Sequence, residues 1–169
     1  AEGLDQDAAE SLTRLTREGG LGENTVLVHG LALSESDLDQ IAEAGAAVVW
    51  CPSANQHLYS RTLPLAGILN RGIPVCIGTS GSVNGSKSML YELRAAALAW
   101  ENLMGAPADA DTLFSMVTHT PARVFRLPKR GSVAAGKHAD LLVLQSRGAS
   151  APTTLISSAP SDIRLLTKN

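Results

Sequence analysis

Short apolar runs alternate with amphipathic stretches along most of the chain. Three nearly continuous apolar runs, each four or five residues long, are typical of parallel strands that are buried on both faces. They cover residues 25–28, 46–50 and 73–77. Apolar residues at helical spacing lie between and after these runs. This alternation predicts an α/β fold with parallel strands, either a doubly wound sheet or part of a (β/α)₈ barrel.

The helical stretches have recognisable ends. Ser34 is placed as an N-cap and Gly45 as a helix stop. The pattern predicts helices over 8–17, 35–44, 64–70, 89–104, 109–117 and 121–125. Two further strands are predicted over 139–144 and 163–167, whereas 53–61 and 146–161 are predicted to be irregular because polar and small residues dominate them.

Composition narrows the class of protein. The 169 residues carry a formal net charge of −2, and 44% of them are hydrophobic. This length can bury a real core, and the apolar content argues against disorder. No basic cluster and no apolar stretch of about 20 residues is present, so we expect neither a nucleic-acid partner nor a membrane partner. With two cysteines and no visible secretory signal, we expect a cytoplasmic protein.

Parallel α/β folds place their chemistry at the carboxyl ends of the strands. Here those ends are His29, Cys51 and Thr79–Ser80. His29 fits either a metal or substrate contact or a structural hydrogen bond. Cys51 and His57 could be a nucleophile and its base, but no third group to orient them is visible. A small buried hydrophobe is therefore the favoured interpretation of Cys51.

The loop over residues 81–88 resembles a phosphate-binding loop, because small residues lead into a helix N-terminus. That motif requires a glycine immediately before Lys87, where Ser86 stands. A small-residue loop without a phosphate is the favoured interpretation, and a nucleotide-binding domain stays as an alternative. His119 and His138 are expected to be cap or surface residues.

Carboxylates are scarce in the middle of the chain. From Gln40 to Ala108 they are Glu43, Glu92 and Glu101, all on predicted helices and away from strand ends. A mechanism based on paired carboxylates is therefore not expected.

Several segments together resemble one enzyme family over roughly residues 10–145. They are VLVHG with Leu33–Ser34, AVVWCPSAN, GIPVCIGTS, and a final part that includes GSVAAGKHADLLVL. In this order and spacing they resemble the metal-dependent amidohydrolase superfamily, in the branch of cytosine deaminase, guanine deaminase and chlorohydrolases. Position 54 departs from the pattern, with Ala54 where serine is usual.

The resemblance implies a (β/α)₈ barrel with a small β-domain. This chain would supply about the last three βα units over 1–130 and the remnant of the small domain over 131–169. Such enzymes hold a divalent metal, zinc or iron, which activates water for attack on a C–N or C–Cl bond. The family pattern places an HxH pair after the first strand, a His with a nearby Glu after the fifth, a His after the sixth and an Asp after the eighth.

Only the last part of that pattern is matched. The resemblance places His29 at the sixth-strand position, in contact with metal-bound water or substrate, and Asn55 in a segment that binds substrate. Ser80 stands where the family has its metal-binding Asp, and a neutral hydroxyl replaces that carboxylate poorly. The HxH pair, the fifth-strand His and its Glu are expected outside this chain. We therefore expect no metal cofactor in this chain alone, and no activity alone.

Two function classes follow from this comparison. The chain is either the C-terminal portion of a hydrolase that acts on a small molecule, or a non-catalytic binding or assembly module of the same fold. The expected partner is the missing N-terminal barrel segment or a second copy of the chain. Self-association is predicted through an exposed strand edge or through the helix face of Leu93, Ala97 and Trp100.

Overall fold

Three parallel strands form the larger sheet of the computed structural model, which describes residues 10–81, 83–146 and 148–168. The strands are β1 (Val26–Val28), β2 (Ala47–Trp50) and β3 (Val75–Ile77), in the order β1-β2-β3. Val28 pairs with Val49, and Trp50 pairs with Ile77. Because all three strands run in one direction, their carboxyl ends meet at one edge of the sheet. The predicted α/β class is confirmed.

Helices connect and follow these strands. Their bounds are α1 (Ser11–Arg17), α2 (Glu35–Glu43), α3 (Pro52–Tyr59), α4 (Leu65–Asn70), α5 (Met89–Met104), α6 (Ala110–Ser115), α7 (His119–Val124) and α8 (Ala151–Ser157). Ser34 caps α2 as predicted, since its hydroxyl accepts from Asp37 N while the Asp37 carboxylate accepts from Ser34 N. The start predicted at residue 8 for the first helix lies outside the described residues.

A second sheet pairs β4 (Leu141–Leu144) with β5 (Ile163–Thr167) in antiparallel fashion. Between them, α8 packs against α5 and α6, so this part of the chain lies on the helical layer of the larger sheet. An apolar groove of about 1140 Å³ runs between α5, α7 and the second sheet, with Phe125 and Leu166 in its wall. Within the described residues, no helix has both the length and the apolar character needed to cross a membrane.

Two predictions of irregular structure are wrong. Residues 53–61 contain most of α3, and 146–161 contain α8. In α3 the side turned inward carries Pro52, Ala54 and Asn55, so a polar side chain stands at a core position and the apolar periodicity is interrupted. In α8 the buried residue is Thr154, which is again polar. Both helices are stabilised by tertiary contacts, which a local pattern does not reveal.

The core lies between the larger sheet and its helices. Trp50, Leu38 and Ile68 are fully buried there, and Leu93 and Trp100 of α5 pack into the same cluster. The predicted apolar face of α5 therefore faces the core, with Leu93 at 0% and Trp100 at 9% exposure. Leu93 and Trp100 are buried within the chain and Ala97 is half-buried, so this face has little free surface, and self-association through it stays a prediction.

Candidate functional site

Three side chains that are far apart in sequence meet at the carboxyl edge of the larger sheet. His29 follows β1, Ser80 follows β3, and Asn55 lies in the first turns of α3, directly after β2. His29 Nδ1 lies 2.6 Å from Asn55 Oδ1, and His29 Nε2 lies 3.4 Å from Ser80 Oγ. The structure thus brings together all three predicted site residues in one continuous chain of contacts.

Asn55 fixes the position of His29 through two contacts. Its side chain is fully buried, and its Nδ2 donates to the backbone oxygen of His29 at 3.2 Å. With Nδ2 used in this way, Oδ1 faces the imidazole and accepts from Nδ1–H. Both polar atoms of the Asn55 amide therefore bind His29. A role of Asn55 in substrate binding stays a prediction, whereas its contact with His29 is direct.

His29 and Ser80 both adopt the left-handed backbone conformation, with φ of 74° and 57°. This region costs an L-residue other than glycine of the order of 1 kcal/mol or more. In both cases the chain turns sharply as it leaves a strand, and the turn brings the side chain to the strand-end edge. Ser80 is exposed and His29 is half-buried, so the cluster is open to solvent at the serine.

Glu92 lies directly behind the site, contrary to the expectation that the carboxylates of this region stay away from strand ends. It is fully buried in α5, and its carboxylate accepts from the backbone N–H of Ser53 at 2.9 Å and of Ser86 at 3.2 Å. Ser53 follows β2 and Ser86 belongs to the loop after β3. Glu92 therefore ties two strand-end segments to one helix, a contact that its position on a predicted helix did not reveal.

Backbone N–H groups of the loop after β3 already donate hydrogen bonds within the chain. Gly81 N donates to Asn84 Oδ1, Gly85 N to Gly81 O, and Ser86 N to Glu92. A side chain at Gly85 would place its Cβ 1.7 Å from Thr79 O, so the loop needs glycine to pass this close to the end of β3. These N–H groups are not available to a phosphate, and a buried carboxylate lies beside them. This argues against the nucleotide-binding alternative.

The two thiols are buried. Burial is the main cause that raises the pKa of Cys51 from 9.0 to about 11; the negative charge of Glu92 raises it further, and a hydrogen bond from the Ser80 backbone lowers it. Burial also raises the pKa of Cys76 to about 11. Both thiols are therefore protonated at neutral pH, and Cys51 is the small buried residue that was expected. His57 is exposed near the end of α3.

We expect neither cysteine of the native chain to react with Ellman's reagent at pH 8, whereas both react once the chain is unfolded in urea. Folding raises the pKa of each thiol, so each protonated thiol adds to the free energy of unfolding. This contribution is complete below about pH 9 and is lost as the pH rises towards 11. Urea unfolding at pH 8, 9.5 and 11 measures this loss. Rapid labelling of either thiol in the native chain at pH 8 would contradict the assignment.

The other histidines lie elsewhere in the fold. His119 is exposed at the first position of α7, as expected for a cap or surface residue. His138 is half-buried, and its backbone N–H donates to Lys129 O. Across residues 10–81, 83–146 and 148–168, no group of three His, Cys, Asp or Glu side chains is arranged to hold a metal ion.

The chain is similar in sequence to one known protein family and to curated proteins of known name. A family model described as "Amidohydrolase family" matches residues 4–166. The 5-methylthioadenosine/S-adenosylhomocysteine deaminase of Thermococcus onnurineus is 36% identical over 129 residues, which cover 75% of this chain and 30% of that protein. The chain spans about a third of the length of the curated relatives it matches.

Solved structures are also similar to this chain in fold. A zinc-bound adenosine deaminase from Xanthomonas campestris superposes with a TM-score of 0.87 at 26% identity, covering 99% of this chain and 42% of that one. The atrazine chlorohydrolase of Arthrobacter aurescens TC1, complexed with zinc, gives a TM-score of 0.78 at 25% identity and covers 96% of this chain and 40% of its own.

Proposed function

Because the chain belongs to the amidohydrolase family, as the resemblance to its deaminase and chlorohydrolase branch predicted, we propose that it forms one part of a hydrolase barrel. In this proposal residues 1–130 supply the last three βα units of a (β/α)₈ barrel, and 131–169 belong to a small β-domain. Three consecutive parallel strands, followed by a separate antiparallel pair, support that division.

The proposed reaction is hydrolysis of a C–N bond, namely deamination of an adenosine-type nucleoside. The names of the Thermococcus and Xanthomonas relatives support this substrate class. The observation that carries the proposal is the strand-end cluster, in which Asn55 fixes the imidazole of His29. His29 Nε2 then faces the open edge, where it can accept a hydrogen bond from a water or a substrate group.

The donor set of this chain does not fit the family's divalent metal. At the position of the family's carboxylate, Ser80 offers a neutral hydroxyl, and the Nδ1 atom of His29 is already engaged by Asn55. One imidazole nitrogen and one hydroxyl do not make the four-ligand site that zinc prefers. We therefore propose that the chain does not deaminate by itself.

A polypeptide that corresponds to the remaining two thirds of the relatives is the proposed partner. Among the described residues, β1 pairs with β2 and has no strand partner on its other side, and Val28 is 54% exposed. The apolar groove between α5, α7 and the second sheet offers a further surface for burial. A second copy of the chain could use the same edge, which sedimentation of the chain alone would reveal.

The test combines this chain with the N-terminal two thirds of the Thermococcus onnurineus deaminase and measures ammonia release from methylthioadenosine. We expect no release and less than about 0.1 zinc per chain without the partner, since a stable zinc site needs four ligands. In the assembled pair, Ser80→Asp should raise the rate by about 100-fold or more, because a carboxylate can accept a proton from the attacking water. Ser60→Asp, at another exposed left-handed serine, should not change it.

Two results would contradict the proposal. Stoichiometric zinc in the chain alone would mean that its own residues do form a metal site. Absence of ammonia from an assembled pair that carries Ser80→Asp would favour the non-catalytic module, which the missing carboxylate at position 80 also supports.

A further inference from the structure

Ser80, His29 and Asn55 have the relative arrangement of a nucleophile, a base and the group that orients the base. We propose that these three residues form a serine-nucleophile triad that reacts with small carboxylic esters without a metal. The contacts run from Ser80 Oγ to His29 Nε2 at 3.4 Å, and from His29 Nδ1 to Asn55 Oδ1 at 2.6 Å. This activity is separate from the proposed deamination, although it uses the same strand-end edge.

The tautomer of His29 follows from the orientation of Asn55. Asn55 Nδ2 donates to His29 O, so Oδ1 is the atom that faces Nδ1. The reverse orientation would place two carbonyl oxygens against each other and leave the amide nitrogen facing Nδ1. Nδ1 therefore carries the proton in the neutral imidazole, and the lone pair of Nε2 is directed towards Ser80. A base in this tautomer is what a serine nucleophile requires.

The location of Ser80 suits a nucleophile. It lies in a sharp turn immediately after β3, has a left-handed φ of 57° and is exposed. Serine hydrolases of another fold place their nucleophile in such a strand-end turn, where the hydroxyl stands clear of the sheet. Asn55, by contrast, is fully buried. The triad thus runs from a buried orienting amide to an exposed hydroxyl, and a substrate can reach the hydroxyl from solvent.

The contact of 3.4 Å is longer than an ideal hydrogen bond. In the absence of a substrate, contacts between a nucleophile and its base are often long, and they shorten when the reacting group is in place. The Cys51 thiol, which also lies near this edge, does not compete, because it is buried and stays protonated.

The proposed reaction proceeds in two steps. In the first, Ser80 Oγ forms a bond to the ester carbonyl carbon while its proton moves to His29 Nε2. The bond from carbon to the alcohol oxygen breaks, and the alcohol leaves with that electron pair and the proton from His29. In the second, water attacks the acyl carbon and gives a proton to His29. The bond from the acyl carbon to Ser80 Oγ breaks, and Ser80 Oγ takes the proton from His29. The net reaction is ester plus water to acid plus alcohol.

Turnover should be slow, because the nearby loop offers few N–H donors to stabilise a developing oxyanion. The N–H groups of Gly81, Asn84, Gly85 and Ser86 already donate within the fold. The loss of one such donor costs a serine hydrolase about 100- to 1,000-fold. Covalent labelling is therefore a better readout than turnover. With a fluorophosphonate, the Ser80 Oγ–P bond forms, fluoride leaves with the P–F electron pair, and the serine proton moves to His29.

The experiment treats the purified chain with a fluorophosphonate in the presence of EDTA and follows the intact mass and the labelled peptide. We expect one adduct, on Ser80. Ser80→Ala should abolish it, whereas Ser60→Ala, a control at an exposed left-handed serine, should leave the labelling rate unchanged. His29→Asn should lower the rate by about 100-fold or more, in line with the usual contribution of a general base. Asparagine tolerates the left-handed backbone, so this variant retains the turn.

Asn55 is tested as a positioning residue by a pair of variants. Asn55→Asp keeps an acceptor for Nδ1–H and should retain labelling within about tenfold, whereas Asn55→Leu removes the acceptor and should lower it by about 100-fold. Circular dichroism checks that each variant is folded. If Asn55→Leu does not fold, the His29→Asn result and the retention in Asn55→Asp still decide the matter.

No adduct on Ser80 in the folded chain, or equal labelling of the wild type and His29→Asn, would overturn the proposal. Labelling that survives Ser80→Ala would also overturn it. The EDTA makes this experiment independent of the deamination proposal, because labelling requires neither a metal nor the N-terminal polypeptide. A failed deamination assay with positive labelling, or the reverse, therefore identifies which of the two proposals is wrong.

Discussion

Replacing Glu92 by alanine should lower the free energy of unfolding by about 2–4 kcal/mol, because the backbone N–H groups of Ser53 and Ser86 both lose their acceptor. The fully buried side chain also leaves a cavity in α5. Urea unfolding followed by circular dichroism measures the change. Hydrogen exchange should show the amides of Ser53 and Ser86 exchanging faster, which locates the loss at the two strand-end segments.

The matched control is Glu101→Ala, at an exposed glutamate of the same helix, which should change the stability by less than about 0.5 kcal/mol. Glu92→Gln provides a second comparison. It keeps one acceptor oxygen and removes the negative charge, so the pKa of Cys51 should fall while burial still holds it above its usual value. Equal stability losses in Glu92→Ala and Glu101→Ala would show that the buried carboxylate does not tie the two segments together.

The second large effect is expected at Trp50. Its side chain is fully buried at the end of β2, and its Nε1 donates to Thr62 Oγ1 at 2.8 Å. Trp50→Ala should lower the free energy of unfolding by about 3–5 kcal/mol, the usual cost of removing a buried aromatic side chain. Trp50→Phe keeps most of the packing but leaves Thr62 without that donor, so we expect an intermediate loss of about 1–2 kcal/mol.

Leu98→Ala is the control for Trp50, since Leu98 is 63% exposed on α5 and should contribute less than about 0.5 kcal/mol. Denaturant unfolding monitored by far-UV circular dichroism compares the three variants without relying on tryptophan fluorescence. If Trp50→Phe were as destabilised as Trp50→Ala, the hydrogen bond to Thr62 would matter more than the packing. Equal stability of Trp50→Ala and Leu98→Ala would contradict the assignment of Trp50 to the core.

Glu92, and the contact that Asn55 makes with His29, show why part of the site escaped prediction. Each is a polar residue whose side chain lies in the interior of the fold, and each has partners 26 or more residues away or in another element. On a predicted helix, Glu92 has the same local signal as Glu101, although one is fully buried and the other is exposed. Asn55 interrupts the apolar pattern of α3, so the same residue that fixes His29 also concealed the helix that carries it.

Some features follow from the order of residues alone. Continuous apolar runs predict buried parallel strands because neither face of such a strand can be left to water. Serine caps, glycine stops and helical spacing then predict α2 and α5 closely, and the ends of the apolar runs mark His29 and Ser80 as strand-end residues. The substitution of a hydroxyl for the family's carboxylate at position 80 is also visible in the sequence.

Only the tertiary structure decided how these residues act on one another. It placed Asn55 behind His29, and thereby set which nitrogen of the imidazole carries the proton. It also directed Nε2 towards Ser80 and put a buried carboxylate under the adjoining loop. The physical reason is that hydrogen-bond partners and burial depend on contacts between distant segments, whereas sequence patterns report local periodicity and turn chemistry. The sequence by itself determined the strands, most of the helices and the family, and the fold decided the chemistry available where the strands end.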